Sequence, residues 1–99
     1  MSPTYDDSGS RFQRDLKKLT PAQYMVFRRA VDKLVAALRQ GEGFGKGLRV
    51  KPVEGHEGVW ELTWAPNGRA TFAYGKQQRP NEPHVIWRRV GTHDIFRRP

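Results

Sequence analysis

The chain has 99 residues and a mass of 11.4 kDa, room for one small domain, expected to span 1–99. Apolar residues make up 36% and charged residues 28%, and 18 Lys/Arg against 10 Asp/Glu leave a net charge of +8, which favours a polyanionic or strongly acidic partner. No apolar run approaches the roughly 20 residues of a membrane span, the N-terminal stretch lacks a secretion-signal pattern, and without cysteine there is no disulfide framework, thiolate zinc site or cysteine nucleophile. The expectation is a soluble, basic, intracellular and cytoplasmic domain.

The charge is uneven. Residues 1–10 carry −2, residues 11–51 carry +8 and residues 52–99 carry +2. Residues 1–9 show almost no alternation. Residues 10–19 read as a short helix, with Phe12, Leu16 and Leu19 in one stripe. Thr20-Pro21-Ala22-Gln23 is a helix start: Thr20 can cap, Pro21 fits the first helical position, and Gln23 sits where a capping-box partner belongs. Tyr24, Phe27, Val31, Leu34, Val35 and Leu38 then recur at helical spacing, and Gly41 and Gly43 close a helix placed at about 21–40. Its other side, with Arg28, Arg29, Asp32, Lys33 and Arg39, is either a solvated face or a contact surface for acidic material. The two helices form a hairpin that cannot bury its own apolar stripes and needs a sheet.

After a glycine-rich loop at 41–47 the period changes to two. Residues 48–51 alternate, and 59–64 alternate strongly, with Trp60, Leu62 and Trp64 on one side and Glu61 and Thr63 on the other. Pro66-Asn67-Gly68 is a turn. Residues 69–74 follow with Ala70, Phe72 and Tyr74 on one face, then a polar loop over 75–83, then a last strand over 84–90 with bulk on both faces. Two helices followed by hairpin-linked strands predict an α+β fold, with two N-terminal helices on one face of a small antiparallel sheet of three to four strands. The other face is expected to be exposed. It carries Glu61, Thr63, Arg69 and Thr71, joined by either His84, Ile86 and Arg88 or Val85, Trp87 and Arg89. Acid, base and guanidinium groups on one face suit either a phosphate-bearing ligand or a solvated surface with cross-strand ion pairs.

The run Phe12…Asp15-Leu16-Lys17-Lys18-Leu19, the long helix, the Trp60-Glu61-Leu62 strand, the Arg69…Phe72…Tyr74 strand and the ending Val90-Gly91-Thr92-His93-Asp94-Ile95-Phe96 follow one order. In that order, over roughly residues 10–97, the chain resembles the RelE/ParE superfamily of type II toxins, and its Gly-Thr-His ending looks most like the YafQ-type branch. The resemblance implies a RelE-like fold and a ribosome-dependent mRNA endoribonuclease (an mRNA interferase). It also implies a cognate acidic antitoxin bound in a hetero-oligomer. His93 matches the C-terminal catalytic position, Arg69 the phosphate-contacting arginine, and Phe96 the aromatic beside the site. His56 lies where YafQ-like members carry a histidine. Glu61 and Thr63 stand where RelE itself has lysines, which points away from lysine-rich chemistry. Family members usually begin with an apolar edge strand, expected here to be short or absent.

Metal-free RNA cleavage needs a base for the 2′-hydroxyl proton, an acid for the leaving 5′-oxygen and a cation for the phosphorane. Histidine suits either proton role, with an unperturbed pKa of about 6.5. His93 is assigned as acid or base and Arg69 as phosphate clamp, with His56, Glu61 and Asp94 as candidates for the second proton carrier. Gly55 and Gly58 around His56 suggest a mobile loop. No cofactor is expected. The three histidines lack metal-ligand spacing, so no metal site is expected either. Lys46, Arg49, Lys51, Arg88, Arg89 and Arg97 are candidate nucleic-acid or antitoxin contacts, and Trp87 is either a stacking platform for bases or core. The alternatives are a ParE-like toxin acting on DNA gyrase and a catalytically inactive RNA-binding relative.

Overall fold

The computed structural model describes residues 4–40, 49–79 and 82–99. Lys46 and the helix-ending glycines Gly41 and Gly43 lie outside them. The elements run β1 (Thr4–Asp6), α1 (Ser10–Lys18), α2 (Pro21–Gln40), β2 (Arg49–Pro52), β3 (Val59–Ala65), β4 (Gly68–Arg79), β5 (Glu82–Thr92) and a 3₁₀ turn, η1 (His93–Arg97). The sheet order is β1-β5-β4-β3-β2, with β2 to β5 antiparallel and β1 added parallel to β5. The edge strand is therefore present and three residues long.

The predicted capping box forms: the Thr20 backbone N–H donates to Gln23 Oε1 at 2.8 Å, and the Gln23 N–H donates to Thr20 Oγ1 at 3.1 Å. It starts α2 just after α1 stops and so sets the hairpin. Phe12 from α1, Phe27, Val31 and Leu34 from α2, and Leu62, Trp64, Phe72, Val85, Trp87 and Val90 from the sheet then make one buried cluster. Burial of each large side chain contributes about 1.5–3 kcal/mol.

Trp87 is at the centre of this core. Its ring lies 5.9 Å from Phe12, 5.6 Å from Phe27 and 5.4 Å from Phe72, and it is 5% exposed. This corrects its assignment as a base-stacking platform, because both helices cover it. It also settles the parity of β5. Val85 and Trp87 point inward, leaving His84 and Ile86 on the outer face, and a register shift between Thr71 and Phe72 of β4 accommodates Arg88.

The polar loop expected over 75–83 is instead a hairpin. β4 runs to Arg79 and β5 starts at Glu82, pairing back as Gly75↔His84 and Arg79↔Glu82. Lys76, Gln77 and Gln78 stand exposed, and no apolar alternation marks this stretch. Gly68 is required by packing at the other end of β4: a Cβ there would come within 2.6 Å of the Trp64 ring.

Candidate functional site

The register arranges the outer face in rows. One row pairs Arg49↔Thr63↔Arg69↔Gly91 and the next pairs Lys51↔Glu61↔Thr71↔Arg89. The rows are two residues apart on each strand, on the order of 7 Å. This face is only partly open. η1 packs against β4 and β5, and Thr71 is fully buried with its hydroxyl unpaired.

Beside η1 lies a hollow of about 470 Å³, lined by Lys51, Pro52, Val53, Glu54, His56, Glu61, His93 and Phe96. Two distant parts of the sequence meet here, the β2–β3 hairpin and η1. His56 arrives on the β2–β3 connection, which is a hydrogen-bonded turn: the His56 N–H donates to Val53 O, the Val59 N–H to His56 O and the Val53 N–H to Val59 O. Gly55 at φ 80° and Gly58 at φ 79° allow its backbone path, so the glycines that suggested a mobile loop serve a defined turn. Glu61 arrives on β3 and is 9% exposed. Its Oε1 lies 3.7 Å from the Lys51 ammonium, which stays largely in solvent. His93 and Phe96 arrive on η1, their rings edge to face at 4.8 Å. The Thr92 hydroxyl accepts from the Asp94 N–H and caps η1, fixing where the His93 ring begins. Among the described residues no three His, Asp or Glu side chains form a metal-ligating group.

The other named residues divide. Arg69 shares the outer face but does not line the hollow. Its Nη1 donates to the carbonyls of Ala65, Pro66 and Gly68 and ties the β3–β4 turn. Arg49 lines a neighbouring hollow with Thr63 at that turn. Asp94 faces a different groove, next to Trp64 and Ile95, so it leaves the set of candidate proton carriers for this hollow. Arg89 is occupied: its Nε donates to Asp15 Oδ2 at 2.6 Å, its Nη2 to Asp15 Oδ1, and its Nη1 to Arg98 O. Arg88 Nε donates to Pro99 O at 3.1 Å. These two arginines hold the segment after η1. Arg97 is exposed.

Two features escape the sequence. Lys51 meets Glu61 only through the β2–β3 register. Asp15, 7% exposed, accepts from both Arg89 and the Val90 N–H, an edge of β5 that β1 does not reach. Residues 74 and 75 positions apart carry no local signal of that bond.

The fold that sets this site is that of the RelE/ParE toxins. The chain matches a copper-bound mutant toxin from Helicobacter pylori with a TM-score of 0.61, at 15% identity over 95% of this chain and 97% of that one. It matches a chain of the RelB–RelE antitoxin–toxin complex from Methanococcus jannaschii with a TM-score of 0.55, at 14% identity over 95% and 94%. It matches the YoeB/ParE toxin from Agrobacterium tumefaciens with a TM-score of 0.54, at 14% identity over 94% and 99%. The expected RelE/ParE architecture is thus shown at the level of the fold, without singling out a YafQ-type branch. No family model matches the sequence, and no curated protein matches it significantly.

Proposed function

We propose that this chain is the toxin of a type II toxin–antitoxin system, a metal-independent endoribonuclease of the YafQ type that cuts mRNA on the ribosome in the cytoplasm. The observation that carries the reading is the hollow, which collects Lys51, His56 and Glu61 from the β2–β3 hairpin and His93 and Phe96 from η1 of a RelE/ParE fold. The groups match the chemistry. The 2′-oxygen attacks phosphorus and its proton passes to a base, His56 or Glu61. The P–O5′ bond breaks, and His93 protonates the departing oxygen, leaving a 2′,3′-cyclic phosphate and a 5′-hydroxyl. Lys51 is the cation within reach of the phosphorane charge. Arg69 and Arg49, one row away, hold the neighbouring backbone, so Arg69 acts beside the scissile bond rather than on it. Phe96 supplies an apolar plane against which an unpaired base stacks. The partner that restrains the toxin is an acidic antitoxin, matched to the net charge of +8.

In a reconstituted translation reaction, the chain is expected to cut mRNA inside ribosome-bound codons and to leave 5′-hydroxyl ends. His93→Ala is expected to abolish cutting while its circular dichroism spectrum stays native. Undiminished cutting by that variant would remove His93 from the mechanism. Gyrase–DNA breaks without transcript cleavage would instead assign a ParE-like role.

A further inference from the structure

The row Lys51↔Glu61↔Thr71 crosses β2, β3 and β4 with Glu61 in the middle. Side chains directly opposite one another on neighbouring strands share a face, with Cβ atoms about 4.5–5.5 Å apart. Glu61 therefore has a lysine on one flank and a threonine on the other. On the Lys51 flank the contact is loose. Glu61 Oε1 lies 3.7 Å from the ammonium, too far for a hydrogen bond, and the lysine side chain is 73% exposed. Among the described residues no group donates a hydrogen bond to this carboxylate, although the residue is buried.

On the other flank the Thr71 hydroxyl is fully buried and has no hydrogen-bond partner among the described residues. Arg89, its neighbour on β5, offers no acceptor for the hydroxyl proton, and its guanidinium is turned to Asp15 and Arg98 O. A buried hydroxyl and a buried carboxylate that both lack hydrogen bonds are costly to keep, and each supplies what the other lacks. One has a proton to donate and the other has free lone pairs, but the carboxylate is turned toward Lys51 instead.

We propose that Thr71 is a positioning residue that gives the Glu61 carboxylate a second station. An exposed ion pair is held weakly, so the phosphate of a bound RNA takes the Lys51 ammonium. The carboxylate then turns from β2 toward β4, and the Thr71 hydroxyl donates to one of its oxygens. The other oxygen is left to accept the 2′-hydroxyl proton, with Glu61 as the base. The consequence for cleavage rests on the proposed function; the two stations do not.

The test exchanges Thr71 in two ways: Thr71→Val keeps the shape and removes the hydroxyl, and Thr71→Ser keeps the hydroxyl. Stability of the full chain is read by denaturant unfolding, with Lys51→Met standing for the loss of the ammonium to phosphate. Thr71→Val alone is expected to leave the unfolding constant unchanged or lowered, since it breaks no bond. In the Lys51→Met background the same exchange is expected to raise that constant about tenfold, because the carboxylate now holds the hydroxyl. Equal effects in the two backgrounds overturn the second station. In cleavage kinetics Thr71→Val is expected to lower kcat about tenfold with KM unchanged, and Thr71→Ser to recover most of the loss. Cutting by Thr71→Val at the wild-type rate, or by Thr71→Ser as slowly as by Thr71→Val, overturns the positioning role. A chain that shows the coupling but cuts no mRNA loses the proposed function and keeps the two stations. One that cuts mRNA without the coupling loses the second station alone.

Discussion

The two faces of the sheet are built from alternate residues of the same strands and do opposite work. Inward, Leu62, Ala70, Phe72, Trp87 and Val90 meet the helices in an apolar layer in which the aromatic rings of Phe12, Phe27, Phe72 and Trp87 lie edge to face or stacked. Outward, Lys51 and Glu61 sit among His56, His93 and Phe96, brought in by a turn and a terminal helix, while Arg69 stands one row away on the β3–β4 turn. The inner face derives its stability from area, whereas the outer face derives its specificity from a few placed groups. Substitutions on one should change folding and leave the chemistry, and substitutions on the other should do the reverse.

The largest separation is expected on the outer face. Glu61→Gln or His56→Ala, whichever removes the base, should lower the cleavage rate about 10²–10⁴-fold, while Glu61→Gln shifts stability by no more than about 1 kcal/mol because the Lys51 partner is solvated. Single-turnover rates and chemical denaturation measure the two separately. On the inner face, Phe72→Ala should destabilise by about 3–5 kcal/mol and lower activity only in proportion to the folded fraction. Asp15→Ala sharpens the contrast. It leaves the largely buried Arg89 charge without its carboxylate partner, with an expected loss of about 3–5 kcal/mol. It also frees the arginine that holds Arg98 O, so the folded variant should show broadened His93 resonances, a change that Phe72→Ala lacks.

Smaller effects lie away from both faces. Thr20→Ala removes the α2 cap and should cost about 1 kcal/mol in denaturant unfolding. The smallest is at Asp6, whose carboxylate accepts from the Ser8 hydroxyl and N–H, which hold its pKa below the ordinary value. A depressed folded-state pKa gives stability that is present above the unfolded value and lost as the pH falls through the folded one. Ser8→Ala should raise the Asp6 pKa in an NMR titration.

What the sequence disclosed follows from how local each signal is. The Thr20–Gln23 box, the α2 stripe and the alternation of β3 are written within a turn or a strand, and they fix the hairpin and the inward face. The same alternation put Glu61 on the outer face. The β4–β5 ribbon reads as a loop in the sequence because Lys76, Gln77 and Gln78 are polar and exposed, leaving no apolar pattern to detect. The parity of β5 depended on a bulge at Arg88, and the fate of Arg89 on Asp15, a residue on another element. His56, His93 and Phe96 came from family likeness. Their meeting with Glu61 and Lys51 depends on the β2–β3 register and on the fold of η1, which no short motif encodes.

The most direct test is genome-wide mapping of transcript 5′ ends after induced expression of the wild-type chain and of His93→Ala. New 5′-hydroxyl ends inside translated codons are expected for the wild type and none for the variant. Identical ends in both, or none in either while growth stops, would overturn the assignment of His93 and of RNA cleavage to this chain.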